Sequence, residues 1–580
     1  MIEADEIIET DVLIIGGGGA ASRAAIEATR YGVEVYKIVK GLYGNSGCTP
    51  HALGGIAGAF GHADPRDDWW QHFYDTVVGG ALLSNQRLVE IFVKEAPQRI
   101  IELEEWGSLF DRDREGKYYQ RPFGGHTYPR ALSSGDRSGA EAMKGLKAEV
   151  LRLGVNVMEE TMATSLLTDE DGSIAGATCL DIKNGDFLVF KARSVIVASG
   201  GMGRLYPLTF APEGNVGNGY YAAARVGAKL LDMEFLQFHP TGIVWPPGLK
   251  GAPISEAVRA IGGRLYNIRG ERFMMRYSPS WLELATRDFI SRCNYKEIKE
   301  GRGTPHGGVY LSVTHIPRET IESQVPTMLD KMLNVGVDIR SEPMEIAPAA
   351  HYTDGGILVD ENWSVEGVPG LYAAGEASGG VHGANRLGTN SIPELFVTGR
   401  IAGENAAKKA LEMRDKEVKL DETQVNMERQ VVFAPLERRD GSNPIELKNR
   451  HMELMWDYVG LVRNEGGLKH AISEMERMWN EDLPRLAVSD GCRHWNNEWL
   501  EALDLYSRLF VGLGMAKAAL MRTESRAQHY REDHPYIDNE NWLRNILISY
   551  RDGEIVLETR PVVFTLLKPE EAKLPEFPVI

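Results

Sequence analysis

Four segments carry residue types that could do chemistry: "QFHPTG" (237–242), "ISEAVRAIGGRLYNIRGERFM" (254–274), "ELATRDFIS" (283–291) and "AHYTDGGI" (350–357), the last followed by "GANRLGTNS" (383–391). Together they supply His239, His351, Arg259, Arg287, Arg386, Glu256 and Ser255. Imidazoles and carboxylates exchange protons, and guanidinium groups fork onto carboxylates. Such a set suits acid–base work on a small acid. Each residue alone has a plainer reading. A histidine beside proline is more often structural, and an arginine on a helix is usually solvated or salt-bridged. Glu-x-x-Arg is a common helical side-chain pair. Their joint occurrence in glycine-rich, non-repeating stretches favours a site.

The elements that must position them begin at the N-terminus. "TDVLIIGGGGAASRAAIEATRYGVEVYKIVK" (10–40) reads as strand, glycine turn, helix and strand, with the first strand over Val12 to Ile15. Gly16 and Gly18 suit a tight turn and close approach to a pyrophosphate, and Ala21 stands at the third, packing position of the dinucleotide pattern. The helix start, Gly19 and Ala20, then faces the phosphates. The acid expected at the end of the second strand, to hold ribose hydroxyls, is missing; Lys40 offers a cation instead. Adenosine contacts must therefore come partly from elsewhere.

Two more glycine segments, "SVIVASGG" (194–201) with Ser199 and Gly200, and "GLYAAGEASGG" (370–380) with Glu376, resemble the first in type. If all three share one site, the stretch between the last two forms an inserted domain. Residues 155–200 contain two tight turns, one of them the hairpin signal Asn184-Gly185, and predict a small antiparallel meander. "GNSGCTPHALGGI" (44–56) suggests backbone pressed against a flat ligand, with Cys48, Thr49, Gly54 and Gly55 beside it. After about residue 418, apolar residues at three-four spacing predict amphipathic helices of a bundle. A short β-like tail, "GEIVLETRPVVFTLL" (553–567), follows.

The bulk numbers bound the answer. A chain of 580 residues predicts roughly three to four domains. Its formal charge of −18 argues against nucleic acid as a partner. The four cysteines, Cys48, Cys179, Cys293 and Cys492, form no CxxC pair or metal-ligand spacing, so no metal site and no iron–sulfur cluster is expected in this chain. The opening residues lack the pattern of a secretory leader. No apolar run is long enough for a transmembrane helix. A cytoplasmic location is expected, peripheral on the membrane face if partner subunits bring the chain there.

"HPTG", "SEAVRAIGG", "TRD", "HYTDGG" and "GLYAAGEASGGVHGANRLGTNS", in that order, resemble the flavoprotein subunit of the succinate dehydrogenase/fumarate reductase family, to which L-aspartate oxidase also belongs. The resemblance runs nearly end to end, from "IIGGGGAASRAA" to "RTESRAQHYREDHP" (522–535). It implies an α/β fold: a Rossmann-like FAD-binding domain (1–238 and 351–418), an inserted capping domain (239–350), a helical domain (419–537) and a tail domain (538–580). It implies FAD, held by the glycine turn, the helix start and the Glu376–Ser391 segment with Asn390 and Ser391. By the same resemblance His239, His351 and Arg386 hold the carboxylates of a C4 dicarboxylate. Ser255 replaces the family's usual threonine, and Phe123 of "RPFGGH" is the substrate-facing aromatic. Arg287 is the proton donor, with Glu256 and Arg259 as its relay.

Two departures stand out. Many family members attach the flavin through a histidine six residues before a Gly-Gly pair; here Cys48 holds that place and His51 lies three residues out of register. A non-covalent FAD is expected. Asp354 stands where the family usually has an uncharged residue. It either sits near the flavin, lowering its potential by charge, or points to solvent. The implied function is hydride transfer between FAD and a C4 dicarboxylate. Electrons would be exchanged with an iron–sulfur subunit, which leads on to a membrane anchor or a quinone- or thiol-linked module. The alternatives are L-aspartate oxidase, a reductase of a related unsaturated acid, and a non-catalytic flavin scaffold, which would have no use for the full residue set.

Overall fold

The computed structural model describes residues 2–574. Strand Glu6–Ile15, helix Gly19–Arg30 and strand Val35–Val39 form the expected first unit. The first strand begins six residues before Val12 because it pairs in parallel along its length with Phe187–Val197, from Glu6 opposite Leu188 to Ile15 opposite Val197. Only its last residues are core: Val12, Leu13 and Ile14 are fully buried. The sheet continues through Val35–Val39 to Asn156–Glu159 on one side, and through Ile174–Asp181 to Thr161–Thr168 on the other. The predicted meander is therefore part of the main sheet. Strand Phe187–Val197 serves both halves: its first part pairs antiparallel with Ile174–Asp181, its last part parallel with Leu371–Ala373. The 194–201 and 370–380 glycine segments thus emerge side by side with the first turn.

A second, four-stranded sheet runs in the order Leu236–Trp245, Met344–Thr353, Val309–Ser312, Arg264–Tyr266, its first two strands crossing the expected bounds 239 and 350. It has its own core, including Ile243, Val258, Leu265, Phe289 and Ile346. Helix Arg287–Glu297 lies on the first strand, held by Ser291 Oγ donating to the Phe238 carbonyl (3.1 Å) and Asn294 Nδ2 donating to that of Pro240 (2.8 Å).

Beyond residue 418 come helices Glu422–Glu437, Pro444–Tyr458, Glu465–Arg477 and Asn497–Met521. Their N-caps are Asp421, Asn443, Asn464 and Asn496, each accepting from a first-turn backbone N–H. The tail is a hairpin of Arg544–Arg551 and Glu554–Pro561. Sequence reasoning places β structure only from residue 553 and misses the earlier strand. That strand joins Leu230–Leu231, so the hairpin extends a small sheet of the FAD-binding part. What was expected of Met1 and of 575–580 lies outside the described residues. "RTESRAQHYREDHP" is a buried ionic knot in which Arg522 reaches Glu234 (2.7 Å) and Glu524 (3.1 Å), and Arg526 reaches Glu524 (2.7 Å). Among the described residues no helix is long and apolar enough to cross a membrane, and no group of three or more His, Cys, Asp or Glu is placed to hold a metal ion.

Candidate functional site

One cavity of about 610 Å³ runs from the first glycine turn to the arginine-bearing helix. At one end it is lined by Gly16, Gly18, Gly19, Ala20 and Lys40; further along by Cys48, Thr49, Gly54, Ser199, Gly200, Glu376 and Ser391; and at the other end by Phe123, His239, Ser255, Glu256, Arg287 and His351. Residues more than 300 positions apart in sequence thus share one wall, as the sequence reading requires.

The glycine turn fits a dinucleotide. A Cβ on Gly16, at φ +142°, would lie 2.1 Å from the Ala198 carbonyl oxygen, and one on Gly17 would lie 2.5 Å from Val39. Only bare backbone lets the two strand ends and the turn close up. Helix Gly19–Arg30 has no side chain capping its start from Gly18. Gly19 and Ala20 of its first turn line the cavity, and the Gly19 N–H donates to Thr49 Oγ1 (3.0 Å). Ala21 is fully buried in the helix–sheet contact and does not line the cavity.

Gly55 and Asn390, also expected at the cofactor, lie off the cavity wall. Gly55 faces the strand at Ala131–Leu132, where a Cβ would lie 2.6 Å from the Leu132 carbonyl oxygen. Asn390 is fully buried behind the wall, donating to Thr76 Oγ1 (3.0 Å) and bonded to His72 Nε2 (2.9 Å). Lys40 lines the cavity, but its ammonium is paired with Asp504 of helix Asn497–Met521 at 2.6 Å. Asp354 does not point to solvent. It is 2% exposed, and its Oδ1 accepts the Arg386 backbone N–H (3.0 Å). Burial pushes its carboxyl well above the usual range, which favours the uncharged form and weakens the expected charge effect on the flavin.

At the far end the polar groups interlock. Arg287 donates from Nε (3.0 Å) and Nη2 (2.9 Å) to Glu256 Oε2, and from Nη1 to Gln237 Oε1 (3.0 Å). Arg259 Nη2 lies 3.4 Å from the same Glu256 oxygen, while its Nη1 donates to the Glu283 carbonyl (2.7 Å). Burial alone would raise the Glu256 carboxyl; Arg287 and Arg259 outweigh it and hold it down at about 2. Arg259 is almost fully buried, one layer behind the wall.

Burial, reinforced by Arg287, pushes the His239 imidazole well below its usual pKa, and burial with Arg386 does the same for His351. Both are neutral at pH 7. The Thr241 backbone N–H reaches His239 Nδ1 (3.3 Å), which makes that nitrogen the acceptor and leaves the proton on Nε2. The two rings lie 5.5 Å apart at their centroids, and Phe210 packs against both.

Arg386 also sits behind the wall. Its Nη2 donates to Gln237 Oε1 (2.8 Å) and its Nη1 to the Leu387 carbonyl (3.0 Å), while its buried Nε has no partner. Burial, with Arg287 nearby, lowers its pKa to about 10.

Gln237 is the residue that sequence reasoning missed. One carbonyl oxygen holds both arginines, and its Nε2 is fixed by Asn385 Oδ1 (2.9 Å) and the Arg386 carbonyl (2.7 Å). Asn385 Oδ1 in turn accepts from Gln528 (2.7 Å), which ties the C-terminal motif to the site. The signal was present: Gln237 opens "QFHPTG" two residues before His239.

Comparison with known proteins agrees with this geometry. The family described as FAD binding domain matches residues 11–392, and the family described as Fumarate reductase flavoprotein C-term matches residues 448–574. Fold and site together define an FAD-dependent oxidoreductase. More narrowly, the chain belongs to the flavoprotein subunit family of succinate dehydrogenases and fumarate reductases. It is 46% identical to a fumarate reductase (CoM/CoB) subunit of Methanothermobacter marburgensis, covering 94% of this chain and 98% of that one. It is 36% identical to the succinate dehydrogenase flavoprotein subunit of Rickettsia conorii, covering 97% of each. Among solved structures, a chain of the E. coli quinol fumarate reductase superposes with a TM-score of 0.91 at 31% identity, covering 97% of this chain and 98% of that one.

Proposed function

We propose that this chain is the flavoprotein subunit of a fumarate-reductase-type complex, interconverting fumarate and succinate and working chiefly toward succinate. The observation that carries the reading is the Arg287–Glu256–Arg259 chain at one end of the cavity whose other end is the dinucleotide turn. FAD, when bound, supplies or accepts the hydride. The chain's own residues do the rest. Neutral His239 offers its Nε2 proton to a carboxylate; His351 and the Ser255 hydroxyl add donors, and Phe123 covers the site. Arg386, behind the wall, brings positive charge and a free Nε–H to the same end. Arg287 gives its proton to the alkene carbon, Glu256 passes a replacement proton to Arg287, and Arg259, 3.4 Å from the same Glu256 oxygen, passes one on to Glu256. An arginine stays protonated at any working pH and can act as acid only if a neighbour reprotonates it in concert; Glu256, in contact with two of its nitrogens, stands where that neighbour is needed.

The wall also supports a non-covalent FAD. Burial, with Glu376 nearby, pushes the Cys48 thiol up, so it stays a thiol and is a poor nucleophile. His51 is exposed and bonded to the Asn45 carbonyl (3.2 Å). On acid precipitation the yellow colour is expected in the supernatant, with no flavin mass on the intact chain; flavin pelleting with the protein would overturn this.

Electrons need a route out of a walled cavity. The family's complexes supply it through an iron–sulfur subunit, located at the cytoplasmic face where a membrane anchor is present. The relative named for CoM and CoB suggests thiols as the donor. The aspartate oxidase reading is not proposed, because the similar proteins named above are fumarate reductase and succinate dehydrogenase subunits. The test is purification from the native source followed by fumarate, succinate and aspartate assays. Co-purification with an iron–sulfur protein and fumarate–succinate activity are expected. A single chain fully active on aspartate with oxygen would defeat the proposal.

A further inference from the structure

The end of the cavity farthest from Arg287 has a wall from an unexpected place. Beside Ile38–Lys40 and Glu160–Ala163, it is lined by Trp495, Asn497 and Leu500, which lie beyond the 11–392 stretch matched as FAD-binding. In a dinucleotide fold, the end of the second strand, here Val35–Val39, is where the adenosine goes. That strand lacks its usual acid, and Lys40 is committed to Asp504 of the same helix that follows Trp495. The adenosine half must therefore be held by something other than the usual contact.

Trp495 is built to do so. It has φ +52°, a left-handed conformation that a bulky residue adopts only when its surroundings impose it. Those surroundings are explicit. Its N–H donates to the Ile182 carbonyl (3.2 Å), and His494 Nδ1 bonds the Lys183 carbonyl (3.2 Å). Asn496 caps helix Asn497–Met521 and donates to the carbonyls of Asp490 and Cys492 (2.8 Å each). The loop packs so tightly on the 181–187 turn that a Cβ on Gly185 would lie 2.4 Å from Arg493. Yet the indole so placed is 55% exposed, and among the described residues it packs on no other aromatic ring. A large flat side chain is fixed in a strained backbone, at the mouth of a cavity, with no ring of the described residues stacked on it.

We propose that Trp495 is the lid of the adenine subsite, its indole covering the purine against Met162 and Ala163. The helical segment thereby completes the FAD site and sets its preference for FAD over FMN. Binding of the flavin half, at the other side of the pyrophosphate turn, does not use this residue.

The test is binding to the full chain produced without flavin in a riboflavin-auxotrophic host, with FAD and FMN titrated separately. Trp495→Ala is expected to weaken FAD roughly 10- to 100-fold, the scale of one lost base–aromatic stack. FMN, which has no purine, should change by less than about twofold, and Trp495→Phe should recover most of the FAD affinity. FMN binding doubles as the check on folding; if the alanine variant is insoluble, Trp495→Leu, which keeps bulk without a π face, carries the test. Unchanged FAD affinity, or equal losses for FAD and FMN in a folded variant, would overturn the proposal.

Discussion

Replacing Arg287 by alanine is expected to leave FAD bound and to cut turnover by roughly 10²- to 10⁴-fold, the range for loss of a positioned acid. All three of its guanidinium nitrogens are engaged, two on Glu256 and one on Gln237. Among the described residues no other cation lines that end of the cavity; Arg259 and Arg386 lie behind its wall. His239 and His351 are neutral, and Glu256, held at about 2, is ionised throughout the assay range. The glycine turn that fits the cofactor lies at the opposite end of the cavity, so flavin content should not fall. The expected signature is a loss in kcat with little change in KM. A folded, flavin-loaded variant retaining more than about a tenth of the rate would remove Arg287 from the mechanism.

For Arg386 the split should go the other way. Arg386→Ala is expected to raise the KM for dicarboxylate about 100-fold, with a smaller change in kcat, because a buried cation lost from a charge pair costs about 2–5 kcal/mol. The side chain is buried and its Nε unpartnered, a donor waiting for an acceptor. Deleting it also frees Gln237, so a structural loss has to be told apart from a lost clamp. Arg386→Lys does this. It keeps the charge but not the planar fork, and should restore part of the affinity. An unchanged KM in the alanine variant would end the clamp assignment.

Much of this site was legible in the sequence, for identifiable reasons. Gly16 announces itself because the constraint is local: the turn cannot close around a side chain. Glu256 and Arg259 are three apart, so a short helix is enough to juxtapose them. Arg287 joins them through a contact across 31 positions that only the joint motifs made credible. Gln237 was illegible because its partners lie 50 and 149 positions away, and glutamine is an ordinary strand residue. Gly55 and Asn390 misled for the opposite reason. They share glycine-rich segments with true wall residues, but a neighbouring residue can face away, and composition does not say which. Lys40 was read as an isolated cation because its partner, Asp504, is 464 positions downstream. The strand at 544–551 fell within the expected tail domain, but β structure was placed only from residue 553.

The ladder beneath the two histidines has a mechanical consequence. His239 lies on Leu236–Trp245 and His351 on Met344–Thr353, and these strands are hydrogen-bonded to each other, His239 standing opposite Ala349. The spacing of the two imidazoles is therefore set by backbone and works as a fixed gauge. Arg287 lies outside that ladder, at the first position of a helix tied to one of those strands by side-chain hydrogen bonds from Ser291 and Asn294. Loss of those side-chain bonds would shift the arginine relative to the gauge, while the gauge keeps its length.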